Sequence, residues 1–236
     1  MLVATPSGIT LAPEGGAHQS LETPLITLGQ TGLTAFEPAY VDELAEIMRW
    51  GFEHMQDPDG GSVALRLSTR QIDQPDRAMD ENLRSEIVKG AYWARKPNLG
   101  TDIIIAYCGA IAPEAIAAHE AIAEDIPGAG LLAVTSPKRL YEDWVASRRQ
   151  SKSGAGNPKA YVENLLAPLG PDVSLVTVVD GHPASLSWLG SVAGQPIFPL
   201  GVDRFGQSGD LPDLYREYGI DENSILDAVA RACMGR

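Results

Sequence analysis

The chain has 236 residues, 44% hydrophobic and 21% charged, the make-up of a folded globular protein with a sizeable core, which excludes disorder as its main theme. A formal charge of −13, with no long Lys/Arg run, excludes a phosphate-tracking surface for nucleic acid. Cys108 and Cys233 lie far apart without C-x-x-C spacing, so a reducing, cytoplasmic setting is expected, with neither a disulfide framework nor a zinc site. No basic-then-apolar leader opens the sequence and no stretch approaches the ~18 apolar residues that span a bilayer, so no membrane partner is expected.

Residues 1–32 are rich in Gly and Pro, as in Thr5-Pro6-Ser7-Gly8 and Pro13-Glu14-Gly15-Gly16, and show no helical or strand period. A loop carrying Glu, Gly and His ahead of any scaffold element leads us to expect a truncated chain. Residues 33–36 read as a strand, punctuated by Glu37-Pro38. Tyr40, Val41, Leu44, Ile47, Met48 and Phe52 then form one apolar helical stripe. The turn Asp57-Pro58-Asp59-Gly60-Gly61 ends that helix, and residues 62–68 alternate Val63, Leu65 and Leu67 on one strand face.

Between residues 71 and 100 the composition turns charged and turn-forming, with a short amphipathic piece at 83–88 and a possible edge strand at 90–94; this reads as an interdomain connection. The apolar runs 102–107 and 130–134 flank an Ala-rich helix at 113–126, the mark of a parallel sheet covered on both faces. Helices at 141–149 and 160–166 are separated by a flexible Ser151–Asn157 segment. A strand at 173–179, a short helix at 185–189, a strand at 196–200 and helices at 211–218 and 224–232 follow. The prediction is α/β in two units, residues 1–96 and 97–236, the second with a mostly parallel sheet.

Several generic signatures fail on context. Gly128-Ala129-Gly130-Leu131-Leu132-Ala133 fits G-x-G-x-x-[GA] but precedes a strand, where a dinucleotide fingerprint must follow one. His119-Glu120 lacks the second histidine of a zincin, and Gly206-Gln207-Ser208-Gly209 is not a nucleophile elbow. His182 stands after a strand in Asp180-Gly181-His182-Pro183, where α/β sheets place ligands; a turn role is the plainer reading, and an unrelated small enzyme using His182 with Asp180 or Asp203 is the alternative. Two clusters in the first unit carry more. Glu14-Gly15-Gly16-Ala17-His18-Gln19 brings a carboxylate and an imidazole together on one loop, a pair suited to shuttling a proton or binding a substrate hydroxyl. Thr69-Arg70-Gln71 follows a strand, so Arg70 could grip a carboxylate or phosphate with its planar fork, or form a surface salt bridge.

The order of these motifs, with Gly201-Val202-Asp203-Arg204-Phe205-Gly206-Gln207-Ser208 near the end, resembles thiamine-diphosphate enzymes of the transketolase type along essentially the whole chain. Phe36-Glu37-Pro38-Ala39-Tyr40, Ile87-Val88-Lys89-Gly90-Ala91-Tyr92 and Val134-Thr135-Ser136 look most like the single-chain, homodimeric pyruvate dehydrogenases of that family. The resemblance implies that residues 1–96 are the tail of a pyrimidine-binding domain and 97–236 a transketolase C-terminal-like domain. It also implies thiamine diphosphate and magnesium in the full-length enzyme, held by upstream regions, with no cofactor or metal ligand in this chain. His18 matches the motif histidine that meets substrate above the thiazolium, and Glu14 stands where the family usually has Asp; these are the catalytic candidates. Gln19 and Arg70 are the substrate-binding candidates, Arg70 matching the arginine that grips a sugar phosphate in transketolases. A homodimer and a lipoyl-domain partner are implied with the pyruvate dehydrogenase reading, a sugar-phosphate transketolase or a non-catalytic dimerisation or regulatory module being the alternatives. The fragment alone is expected to be inactive.

Overall fold

The apolar runs pair into two sheets whose carboxyl ends meet. The computed structural model describes residues 1–5, 7–153, 156 and 158–235. In the first unit, β1 (Leu2–Ala4), α1 (Thr23–Leu28), β2 (Leu33–Phe36), α2 (Val41–His54) and β3 (Ser62–Arg66) give a three-stranded, all-parallel sheet ordered β1-β3-β2. After α3 (Glu81–Lys89), the second sheet runs β4-β6-β5-β7-β8, built from β4 (Ala91–Arg95), β5 (Ile103–Cys108), β6 (Gly130–Val134), β7 (Ser174–Val179) and β8 (Ile197–Leu200). Only β4 is antiparallel; the other pairings are parallel.

Every residue of β5, β6 and β7 is buried, as parallel strands covered on both faces must be. Their covering helices are α4 (Ala112–Ala121), α5 (Pro137–Ser153), α6 (Tyr161–Leu166), α7 (Ala184–Ser187), α8 (Gly190–Ala193), α9 (Leu211–Glu217) and α10 (Glu222–Met234). Asp80 and Asp221 start α3 and α10 by accepting the N–H groups of Leu83 and Ser224. Gly90, at φ 115, stops α3 and turns the chain directly into β4. The edge strand read inside the connection is therefore hydrogen-bonded into the second sheet.

Four local expectations need correction. Residues 1–32 contain β1 and α1, which sequence period could not reveal because a three-residue strand and a six-residue helix are too short to show one. Helix α5 runs on through Ser151–Ser153, so the start of the supposed flexible segment is helical; Pro6 and, in that segment, Gly154, Ala155 and Asn157 lie outside the described residues. Strand β3 does not alternate, since Val63, Ala64, Leu65 and Arg66 are all buried. On α2, Val41 and Phe52 are 64% and 52% exposed and leave the stripe that buries Ile47.

The two sheets are stitched at their carboxyl ends, where Glu37 N–H donates to Thr135 O at 2.8 Å and Ser136 Oγ donates to Ala35 O, and the buried Lys138 ammonium ties down the stretch ahead of β2 through Leu28 O and Gln30 O. At the centre lies a buried cluster of one guanidinium and two carboxyls. Arg66, ending β3, donates to the Glu37 carboxylate after β2 and, through Nη2, to the Asp180 carbonyl after β7 at 2.7 Å. One cation cannot balance two buried carboxylates, so desolvation pushes Glu37 up to about 7 despite Arg66, with Asp180 adding to the rise, and burial raises Asp180 as well.

Because Glu37 is raised above its ordinary value of 4.5, its contribution to stability is complete below pH 4.5 and is lost as pH rises through about 7. Urea titrations across this interval should show a fall in unfolding free energy that Glu37→Gln makes shallower, by up to about 3 kcal/mol. Parallel pH profiles for the two proteins would show that Glu37 does not titrate there.

Candidate active site

Residues 7–20 fold back as a loop over the carboxyl end of β7. Gly8, at φ 80, brings its backbone so close to the Asp180 carboxylate that a Cβ would stand 2.4 Å from it, and Asp180 Oδ1 accepts the Ile9 N–H at 2.7 Å. Gly8 N–H donates to Gln19 O at 2.8 Å, closing the loop on itself. Its outer side lies on the segment after β8. A Cβ on Gly16 would sit 2.1 Å from Gly206 O, and one on Gly15 2.6 Å from Ser208 Oγ. Gln19 is fully buried and its amide donates to Gln207 O at 3.0 Å, while Gly209 N–H donates to Ala12 O at 3.0 Å. Thus the two glycine-bearing motifs, nearly two hundred residues apart in sequence, form one packed unit, and their glycines serve close approach as well as turning.

Glu14 and His18 are exposed on this loop, His18 at the end of a single 3-10 turn, Gly16–His18, whose backbone N–H donates to Gly15 O. Ser20 turns the chain inward immediately afterwards with φ 43, an uncommon conformation for a residue with a side chain. The structure therefore presents Glu14 and His18 to solvent together and turns Gln19 the other way, into the anchor.

Arg70 lies four residues beyond β3 and is drawn to the second unit. Its fork meets Glu114 of α4 end-on, Nη1 to Oε2 at 2.8 Å and Nη2 to Oε1 at 2.7 Å. Nη1 also donates to Ala110 O at 3.1 Å, and the guanidinium lies 5.3 Å from the Tyr215 ring centroid. The geometry that suits Arg70 to an oxyanion is thus spent on an internal carboxylate. His119 reaches Ala129 O at 2.9 Å, and His182 Nδ1 accepts the Ala184 N–H at 3.1 Å, so both serve local structure.

Sequence reasoning passed over Glu37 and Arg66 as site residues and weighed Asp180 only as a partner for His182. A charged residue at the end of a buried strand was the available signal for Arg66, and Asp180 directly after the all-apolar β7 was another. Cys108, buried beside Glu37, has its thiol pushed well up by burial, which makes it a packing group. Among the described residues no three His, Cys, Asp or Glu side chains are grouped to hold a metal ion. Among the described residues the candidate loop, 7–20, carries no Lys or Arg for a diphosphate, and Arg70 is paired with Glu114. The residues present around it do not fit thiamine diphosphate by themselves.

The family model of the transketolase-like C-terminal domain matches residues 90–221. The chain is 29% identical to a pyruvate dehydrogenase E1 component of Mycolicibacterium smegmatis over 246 aligned residues, which cover 97% of this chain and 25% of that protein. It spans about a quarter of the length of such relatives. Transketolase from Leishmania mexicana has the same fold, with a TM-score of 0.71, 16% identity, and coverage of 98% of this chain and 30% of that one. A split-gene transketolase described as an inactive beta4 tetramer superposes with a TM-score of 0.65 at 19% identity, over 98% of this chain and 66% of that one.

A double-mutant cycle of Arg70→Ala and Glu114→Ala should give a coupling of about 1–3 kcal/mol in denaturant unfolding. The pair's side chains are 19% and 16% exposed, so solvent screening holds the value below that of a fully buried pair. Additive losses would show that the clasp contributes nothing.

Proposed function

Because this chain belongs to the transketolase-like C-terminal domain family, we propose that it is the C-terminal part of a thiamine-diphosphate enzyme that decarboxylates a 2-oxo acid such as pyruvate and passes the two-carbon unit to a lipoyl group. The observation that carries this reading is the loop presenting Glu14 and His18 on the outside of the chain, in a protein aligned end to end with one quarter of a pyruvate dehydrogenase component. An exposed acid and imidazole need a second wall to form a site, and the other three quarters of the enzyme would supply it. Leu2 and Val3, 64% and 47% exposed on the edge strand β1, form an apolar surface for the same covering polypeptide.

Thiamine diphosphate, bound with its magnesium by those other regions, would supply the electron sink for decarboxylation. This chain's own residues have narrower tasks. His18 can donate or accept a proton at the substrate oxygen once the site is closed, and Glu14 can orient or relay. Gln19 holds the loop from behind as a positioning residue. The closed Arg70–Glu114 clasp favours a 2-oxo acid over a sugar phosphate, because a phosphate would have to displace Glu114 to reach the fork. The order Thr69-Arg70-Gln71 favours the second reading, two-carbon ketol transfer between sugar phosphates. In either case we infer a homodimer whose chain alone lacks turnover.

In the assembled enzyme, this chain with its upstream portion, His18→Ala should lower kcat with pyruvate by roughly 10²-fold, the scale of a proton-transfer group. Arg70→Ala should leave the KM for pyruvate little changed. An unaltered kcat for the His18 variant removes His18 from the mechanism, and activity confined to ketose phosphates overturns the choice of substrate.

A further inference from the structure

At the edge of the second sheet opposite β8, β2, α3, α5 and α6 enclose a cleft of about 550 Å3, large enough for a small metabolite. Three cations line it, Lys89, Arg139 and Lys159, and among the described residues none of them forms a salt bridge. The cleft's two carboxylates are engaged elsewhere. Glu142 pairs with Lys138 Nζ at 2.7 Å, and Asp143 accepts the Tyr161 N–H at 2.6 Å.

Arg139 is the unusual member. Its guanidinium carbon lies 4.4 Å from the Trp50 ring centroid and 5.9 Å from that of Phe36, which hold it in place as a half-buried plate. Its Nε is buried with no hydrogen-bond partner. Burial without a paired carboxylate pulls its pKa down, although Glu142 and Asp143 are near enough to oppose the shift. Among the described residues the Nη groups of Arg139 make no hydrogen bond, so on the cleft side they are open to an acceptor from outside. Lys89 lies over the Tyr161 ring, its Nζ 5.3 Å from the centroid, and the Tyr161 hydroxyl donates to Ala91 O at 2.9 Å, so that wall is fixed as well. The exposed Lys159 adds the third cation.

We propose that this cleft binds the phosphate group of a small phosphomonoester, with Arg139 as the fixed donor and Lys89 and Lys159 as closing cations. A planar guanidinium offers paired N–H donors to an oxyanion, and two ammonium groups add charge from other directions without demanding a planar partner. In a chain of net charge −13, the cleft sets three cations against Glu142, already paired with Lys138, and Asp143, so an anion must be held by local contacts and its binding must weaken with salt. The cleft lies at the β4 edge and the His18 loop over the carboxyl end of β7 and the segment after β8, so the site is separate from the candidate active site and does not depend on which reaction that site performs.

Trp50 under Arg139 makes the site self-reporting. Titrating the purified chain with glycerol phosphate and with inorganic phosphate, at ionic strength held constant with sodium chloride, should change tryptophan fluorescence saturably with a Kd on the order of 1 mM or below. Glycerol phosphate is expected to bind the tighter of the two, and the signal should disappear in Trp50→Phe. Arg139→Gln should weaken binding at least tenfold. The surface variant Lys159→Gln, which leaves the packing on Trp50 intact, should weaken it about threefold or more. Absence of saturable binding, wild-type affinity in the Arg139→Gln or Lys159→Gln variant, or a preference for inorganic phosphate would overturn the proposal.

Discussion

Everything distinctive in this chain depends on Arg66 being buried where the carboxyl ends of two sheets meet. A guanidinium out of water needs a carboxylate, which Glu37 after β2 supplies, while the backbone carbonyl of Asp180 after β7 takes a second N–H and the Asp180 side chain adds its charge nearby. The surplus negative charge is relieved by protons and by backbone N–H groups, and the loop of residues 7–20 provides such a group from Ile9. The ion cluster thus joins four segments, the ends of β2 and β3 from the first sheet, the end of β7 from the second, and the loop carrying Glu14 and His18. A hydrophobic junction of similar volume would hold the sheets together as well or better, but it would give the loop no directional anchor.

The loop is fixed on its second side by shape. Gly15 and Gly16 have no room for a Cβ against Gly206 and Ser208, and Gln19 fills the space behind them. An acid and an imidazole on an otherwise glycine-rich loop acquire a defined position only because both anchors belong to the second unit. Arg70 adds a further bond between the units by pairing with Glu114. The family's C-terminal domain acts in this chain as the template on which a loop of the first unit is set.

Much of the fold was legible because parallel, doubly covered strands declare themselves as continuous apolar runs; β5, β6 and β7 could be read without any tertiary information. The short elements β1 and α1 could not, since they exist through pairing with β3 and packing on β2 rather than through any period of their own. Glu14 and His18, singled out from motif order, lie exposed on one loop. The burial of Gln19 and the closure of Arg70 on Glu114 were invisible, because each depends on a contact with a partner 188 and 44 residues away. Glu37, Arg66 and Asp180 escaped for the same reason. A charge beside a buried strand reads as a strand end until its partners are placed around it.

The most direct test is hydrogen exchange, followed by peptide, in the wild-type chain and in Gly206→Ala, whose new Cβ would stand 1.6 Å from Gln19 Oε1. If two-sided anchoring of the His18 loop is correct, residues 8–19 exchange slowly in the wild type. In the variant, 8–19 and 203–208 are released together while β5, β6 and β7 stay protected. Free-loop exchange of residues 8–19 in the wild type, or release of one segment without the other, would contradict it.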